Sequence, residues 1–131
     1  MKGVLFLCVA NSARSQMAEG IARKLLPAHV KVWSAGSRPT RVRPQAIAVL
    51  AEIAIDISSH RAKAMAEIPA AEVDLVITFR GEEECPVFLG QAVRLHWGLP
   101  DPAAQLGTEP ERLTAFRQVR DELRARIARL V

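Results

Sequence analysis

The stretch VLFLCVANSARSQMAEG, residues 4–20, is the part of the sequence from which the fold is predicted most directly. Residues 4–8 are an apolar run too short for a helix, which is typical of a strand buried on both faces of a parallel sheet. In residues 15–26 the apolar side chains recur at helical spacing, and Pro27 ends the pattern. A strand, a tight loop and an amphipathic helix in this order open a βαβ unit.

The rest of the chain continues this alternation of strands and helices. Short apolar or alternating runs predict three more strands, at residues 30–35, 74–79 and 93–96. Helical spacing predicts a helix that begins at Pro44 and another over residues 109–130, and the alanine-rich segment 58–71 is expected to be helical up to Pro69. We therefore predict one α/β domain over residues 1–131, with a largely parallel sheet and a ligand site at the carboxyl ends of its strands.

Composition limits the classes of protein that fit this chain. Of its 131 residues, 50% are hydrophobic and 24% are charged, which indicates a compact fold. No apolar run approaches the roughly 20 residues of a membrane helix, and no signal peptide is evident, so we expect a cytoplasmic protein that does not bind membranes. The net charge of +4 favours anionic ligands, but aromatic residues are scarce and Tyr is absent, which argues against nucleic acid as a partner. We expect a monomer.

The loop at residues 8–15, between the first strand and the first helix, carries the chemistry. A cysteine that ends a strand, five loop residues and an arginine that begins a helix allow backbone N–H groups to converge on one point, where an oxyanion fits. Arg14 can bind two of its oxygens, and the same positive field favours the thiolate of Cys8. Asn11 tolerates left-handed backbone angles, and Ser15 can donate its hydroxyl to the Cys8 sulfur. The predicted oxyanion-binding residues are Val9, Ala10, Asn11, Ser12, Ala13, Arg14 and Ser15.

A purely structural interpretation of the same loop stays open. Cys8 would then be a small buried residue at the end of a strand, and Arg14 a solvated helix residue. The position of the loop, between a buried strand and an amphipathic helix, favours the anion site.

Asp101 is the candidate general acid. Pro100 and Pro102 flank it and restrict its loop. A carboxyl group close to a bound oxyanion is favoured in its protonated form, as a general acid requires, although a turn aspartate before proline is the plainer alternative.

Residues 4–20 resemble the phosphate-binding loop of the low-molecular-weight protein tyrosine phosphatases and of the related thioredoxin-coupled arsenate reductases. The resemblance continues through short motifs along the chain, at residues 34–36, 55–60, 74–78, 96–98, 101–103 and 116–123. It implies a four-stranded parallel sheet flanked by helices. It also implies that Cys8 is the nucleophile, residues 9–14 the oxyanion cradle, Ser15 its support and Asp101 the acid that protonates the leaving oxygen.

The two branches of this family share attack by Cys8 and differ in the fate of the adduct. Phosphatases commonly carry tyrosines after the Asp-Pro pair, whereas this chain has Ala103-Ala104 there, and residues 15–20 and 96–103 resemble the reductases. We therefore predict an arsenate reductase, an oxidoreductase that acts in arsenic detoxification. The alternatives are a phosphatase that hydrolyses phosphate monoesters and a non-enzymatic oxyanion receptor.

The cysteine count bears on how the reductase would be recycled. The resemblance implies two cysteines after the third strand, but only Cys85 is present, and Arg80 stands at the earlier position. We predict that Cys85 attacks Cys8 directly and that thioredoxin or another thiol reduces the resulting disulfide, with no bound cofactor. Residues 82–84, all glutamate, oppose thiolate formation at Cys85, and a role for it without redox chemistry stays open.

The resemblance also implies a potassium site beside the loop. Asn11, Glu19 and Ser34 match its ligands, but Lys63 replaces the acidic ligand. We predict that no metal binds and that the Lys63 ammonium substitutes for the cation.

Overall fold

The computed structural model describes residues 1–79 and 92–130. Its four strands are β1 (Gly3–Cys8), β2 (Lys31–Gly36), β3 (Leu75–Thr78) and β4 (Val93–His96). Within the described residues the α-helices are α1 (Arg14–Leu25), α2 (Pro44–Ala51) and α3 (Glu109–Ala128). The strands form one parallel sheet in the order β2-β1-β3-β4. The expected four-stranded parallel sheet flanked by helices is confirmed.

Burial of β1 explains its uninterrupted apolar sequence. All six of its residues are buried, because β1 has a strand on either side and packing on both faces. On one face Val4 and Phe6 pack with side chains of the three helices, and on the other Leu5 and Leu7 pack against the segment that precedes β3. A strand enclosed in this way needs apolar side chains at every position.

The register brings the carboxyl ends of all four strands to one edge of the sheet. Cys8 lies beside Gly36, Leu7 beside Thr78, and Thr78 beside His96. The loop from β1 to α1 begins at this edge. The ligand site is predicted at the carboxyl ends of the strands, and Cys8 lies at that edge of the sheet.

Residues 58–71 do not form the expected helix. They contain one 3₁₀ turn, Met65–Glu67, and the start of a second, Ala70–Glu72. Upstream of these turns the backbone makes long-range contacts instead, with a bridge between Gly36 and Ala64 and a hydrogen bond from Gly36 N to Lys63 O of 2.9 Å. These tertiary hydrogen bonds override the helix propensity of the alanines.

Helix α3 begins at a capping box. Thr108 Oγ1 accepts a hydrogen bond from Glu111 N, and Glu111 Oε1 accepts one from Thr108 N.

None of the helices in residues 1–79 and 92–130 combines the length and the apolar composition that a membrane span requires.

Candidate active site

The backbone donors of the loop from Val9 to Ala13 have no partner among the residues that the structure describes. The carbonyl oxygens of this loop accept hydrogen bonds from the segment after β2. Arg38 N donates to Val9 O at 2.9 Å, Thr40 N to Ala10 O at 3.0 Å, and Arg43 N to Ser12 O at 2.9 Å. Since Asn11, Ser12 and Ala13 are buried, unpaired donors there are costly unless a ligand accepts from them. An anion held by several backbone N–H groups is the ligand that such a loop suits.

Cys8 ends β1 with its sulfur buried against this loop. Its Sγ lies 2.8 Å from Ser15 Oγ, and the same oxygen accepts a hydrogen bond of 2.8 Å from Asn11 Nδ2. The hydroxyl proton of Ser15 therefore stays available for the sulfur. A hydroxyl group that can donate to sulfur is what a cysteine nucleophile needs beside it, so this contact suits the role predicted for Cys8.

Arg14, the first residue of α1, is buried and held by two other parts of the chain. Its Nη1 donates to Phe79 O at 3.1 Å and to Leu99 O at 2.9 Å. Its Nη2 lies 4.0 Å from Asp101 Oδ2. The guanidinium thereby joins the end of β3 to the loop that carries Asp101.

Asp101 lies at the border of the site and solvent. Its side chain is 38% exposed, and its Oδ1 accepts a hydrogen bond of 3.0 Å from Ala103 N at the start of a 3₁₀ turn. The second carboxylate oxygen is the one that faces Arg14. The structure thus brings Asp101 to Arg14, and Ser15 to Cys8, around one loop.

Asn11 has the left-handed backbone that its residue type predicts, with φ of 50°. Its Oδ1 accepts hydrogen bonds from Gln16 Nε2 at 2.9 Å and from Lys63 N at 2.8 Å. With its amide nitrogen bonded to Ser15, every polar atom of this side chain has a partner. Asn11 therefore connects the loop to α1 and to the segment before β3.

Gln16 is not among the residues predicted from the sequence. Its side chain supports the loop through the hydrogen bond to Asn11. It is fully buried, and its Nε2 also donates to Arg61 O at 2.9 Å. Its Oε1 lies 3.0 Å from His60 Nδ1. Its position directly after the candidate anion loop is the sequence signal that could have indicated this role, because two of its partners, His60 and Arg61, lie more than 40 residues away.

Glu19 is a buried carboxylate among positively charged groups. Ser34 Oγ donates to it at 2.7 Å, and Lys63 Nζ lies 3.4 Å from the same oxygen. Arg23 Nε and His60 Nδ1 lie 3.2 and 3.5 Å from its other oxygen. Burial raises the pKa of Glu19, but the Ser34 hydrogen bond and the charges of Lys63, His60 and Arg23 outweigh it, so the pKa lies below its usual value.

The residues matched to a potassium site do not fit a metal ion here. Asn11 Oδ1 already accepts two hydrogen bonds, and Glu19 Oε1 accepts one from the Ser34 hydroxyl. Lys63 Nζ donates to Arg61 O at 3.1 Å beside the Glu19 carboxylate. Among residues 1–79 and 92–130, no cluster of three or more His, Cys, Asp or Glu could hold a metal.

The predicted recycling thiol, Cys85, lies outside the described residues, as do Arg80 and the glutamates at 82–84.

Comparison with known proteins agrees with the motifs of the loop. The model of the Low molecular weight phosphotyrosine protein phosphatase family matches residues 3–131. An arsenate reductase of Halalkalibacterium halodurans is 41% identical over 128 residues, 96% of this chain and 92% of that protein.

Solved structures show the same likeness in three dimensions. A structure of an arsenate reductase in the phosphate binding state has a TM-score of 0.82 and 38% identity, and covers 99% of this chain and 96% of the other. A thioredoxin-dependent arsenate reductase of Corynebacterium glutamicum has a TM-score of 0.77 and 27% identity, over 99% of this chain and 60% of the other. The sequence, the fold and the Cys8 loop together place this chain in the low molecular weight phosphotyrosine protein phosphatase family.

Proposed function

We propose that this chain is an arsenate reductase in which Cys8 is the nucleophile. The observation that carries the proposal is that the N–H groups of residues 9–13 have no acceptor among the described residues and lie next to a cysteine sulfur that is hydrogen-bonded to Ser15. A tetrahedral oxyanion supplies the acceptors that these donors need. The relative from Halalkalibacterium halodurans, which bears the name arsenate reductase, supports arsenate as that oxyanion.

The first chemical step joins arsenic to sulfur. The Cys8 thiolate attacks arsenate held by the N–H groups of residues 9–13 and by Arg14. A bond forms between Sγ and arsenic while one As–O bond breaks, and Asp101 protonates the departing oxygen so that it leaves as water. The loop donors stabilise the negative charge on the remaining oxygens.

The second step transfers electrons. The Cys85 thiolate attacks Cys8 Sγ, so an S–S bond forms and the S–As bond breaks with its electron pair on arsenic. Arsenic(V) is thereby reduced to arsenic(III), arsenite leaves, and the two thiols are oxidised to a disulfide. An external dithiol, of which thioredoxin is the candidate, reduces this disulfide and returns both thiols. The thioredoxin-dependent reductase of Corynebacterium glutamicum supports that choice.

Lys63 has a structural role in this proposal. Its ammonium lies beside the buried Glu19 carboxylate, and Lys63 is the residue that replaces the acidic ligand of the potassium site implied by the resemblance. It keeps the Glu19 charge compensated, and its backbone N–H holds Asn11 in place. The loop is thus held in shape without a metal ion.

The test of the function is arsenate turnover by the purified protein with thioredoxin, thioredoxin reductase and NADPH. The wild-type protein is expected to consume NADPH in step with arsenite release, and Cys8→Ser to have no activity. Cys85→Ser is expected to lose turnover too. Full thioredoxin-supported turnover by Cys85→Ser would exclude direct attack of Cys85 on Cys8.

Phosphate ester hydrolysis is the second candidate, favoured by the family to which the chain belongs. The same loop can hold phosphate, and water can release it from Cys8 without a second thiol. Nitrophenyl phosphate tests this activity, which should vanish in Cys8→Ser and persist in Cys85→Ser. A protein that binds arsenate but turns over neither substrate would instead be an oxyanion receptor.

A further inference from the structure

The segment at residues 37–43, SRPTRVR, forms a basic rim beside the Cys8 loop. Its N–H groups at Arg38, Thr40 and Arg43 hold the carbonyls of that loop. Pro39 and Pro44 restrict the backbone of the rim and of the residue immediately after it. Arg38 and Arg41 are exposed and Arg43 is half-buried. The backbone of the rim is therefore fixed by hydrogen bonds to the Cys8 loop.

The three arginine side chains have no acidic partner in the part of the chain that the structure describes. The neighbouring cations differ in this respect. Arg61 pairs with Glu67, and Lys63 with Glu19. As far as the described residues go, the rim thus carries three charges that can meet a negative surface.

The orientation of the loop argues that these charges do not bind the oxyanion itself. In a trans peptide the carbonyl and the N–H point in opposite directions. The rim contacts the carbonyls of Val9, Ala10 and Ser12, so the N–H groups of the same peptide units point away from it. The N–H groups that would hold the proposed oxyanion therefore face away from the rim, which borders the loop on its carbonyl side.

A larger anionic partner fits this geometry better than a single small anion does. Arginine is enriched at protein interfaces because its planar guanidinium pairs with carboxylates in a defined geometry. Three guanidinium groups within six residues, none of them paired with a carboxylate in residues 1–79 and 92–130, provide that surface at the edge where Cys8 lies.

We infer that the basic rim docks an acidic face of the protein dithiol that reduces the oxidised enzyme. This inference rests on the proposed reductase function, since only that function requires a protein reductant to reach the site. Docking brings the thiol of the partner to the disulfide, and the opposite charges speed encounter and orient the two proteins.

The experiment compares two reductants with one set of variants. Arg38→Gln/Arg41→Gln removes two exposed charges of the rim, and Lys2→Gln/Lys24→Gln removes two exposed charges at the opposite end of β1 and α1. Arsenate turnover is measured against the concentration of a thioredoxin that carries net negative charge, and in parallel with dithiothreitol as the sole reductant.

The rim variant is expected to raise the KM for thioredoxin roughly tenfold, with kcat little changed. Its KM should also depend less on salt than that of the wild-type protein, because screening acts on charges that it lacks. With dithiothreitol its kcat/KM for arsenate should equal that of the wild-type protein. The lysine variant should match the wild-type protein with both reductants.

Two results would overturn the inference. One is an unchanged KM for thioredoxin in the rim variant. The other is an equal fall in kcat/KM for arsenate with dithiothreitol, which would mean that the arginines act on the oxyanion. Wild-type protein that reduces no arsenate with dithiothreitol would refute the reductase function itself, and the role of the rim with it.

Discussion

Asn11 Nδ2 donates a hydrogen bond of 2.8 Å to Ser15 Oγ, the oxygen that lies 2.8 Å from Cys8 Sγ. One side chain of the loop therefore sets the direction in which the Ser15 hydroxyl proton points. In the proposed mechanism the reactivity of Cys8 depends on Asn11 through Ser15, and so on the groups that hold Asn11 in place.

Ser15→Ala is expected to slow the chemistry without unfolding the protein. It removes the hydroxyl that faces Sγ and leaves Asn11 Nδ2 without its acceptor. A lost hydrogen bond to a charged sulfur corresponds to about 1.5–3 kcal/mol, roughly a tenfold to hundredfold loss in kcat. The rate of Cys8 alkylation by iodoacetamide at neutral pH should fall as well. Ser37→Ala, at an exposed serine, is the control, and equal rates for the two variants would refute the role of Ser15.

Gly36→Ala is expected to distort the loop. A Cβ at this position would lie 2.4 Å from Val9 O, 2.8 Å from Cys8 O and 2.9 Å from Asn11 N, all of them backbone atoms. The loop must then shift, which should cost about 1–3 kcal/mol of unfolding free energy and most of the activity. Urea unfolding and arsenate turnover measure the two effects.

Gly98→Ala provides the matched control for that substitution. Its Cβ would meet His96 Nε2 at 3.6 Å, an ordinary van der Waals distance. This variant should keep both stability and activity, and a loss similar to that of Gly36→Ala would show that crowding of the loop is not the cause.

Stability is expected to fall in acid because of Glu19 and His60. The pKa of Glu19 is lowered from 4.5, since burial, which raises it, is outweighed by Ser34 and the nearby positive charges. The pKa of His60 is lowered from 6.5, chiefly by burial, against the charge of Glu19, which raises it. Both groups bind fewer protons in the folded state, so their contribution is complete above pH 6.5 and is lost as the pH falls through the lowered pKa values.

Urea unfolding between about pH 7.5 and about pH 5 measures the contribution of His60 to this loss of stability. In His60→Gln the decline over this range should be smaller than in the wild-type protein, because glutamine does not gain a proton. His29→Gln, at an exposed histidine, should decline as the wild-type protein does. If His60→Gln declines as steeply as His29→Gln, then His60 is not the titrating group.

Lys63→Gln is expected to destabilise the protein. It removes the cation that lies 3.4 Å from Glu19 Oε1 and keeps the backbone N–H that holds Asn11. Because Arg23 still compensates part of the charge, we expect a loss of about 1–3 kcal/mol in unfolding free energy. Urea unfolding at neutral pH checks the value.

Lys63→Asp tests the substitution of an ammonium for a metal ion. The variant restores an acidic side chain beside Glu19, so its thermal midpoint should rise with potassium chloride more than with choline chloride at equal ionic strength. The wild-type protein should show no such difference between the two salts. Equal midpoints of Lys63→Asp in both salts would contradict the role proposed for Lys63.

The strand, the loop and the helix at residues 4–20 could be predicted from the sequence alone, since their signals lie in neighbouring residues. An uninterrupted apolar run identified β1, helical spacing identified α1, and the residue type of Asn11 indicated its left-handed backbone. The chemistry predicted for Cys8 and Arg14 depends on the same local order, because a strand end and a helix start must lie at the two ends of a short loop.

The contacts that hold this loop in place became visible only in three dimensions. Gln16 meets His60, and Asn11 meets Lys63, across 44 and 52 residues, so no local pattern predicts these pairs. For the same reason residues 58–71 were expected to be helical, although their backbone instead bonds to Gly36 and Asn11. Local propensity is weak beside the cost of leaving buried polar groups without partners, and which partners are within reach depends on the whole fold.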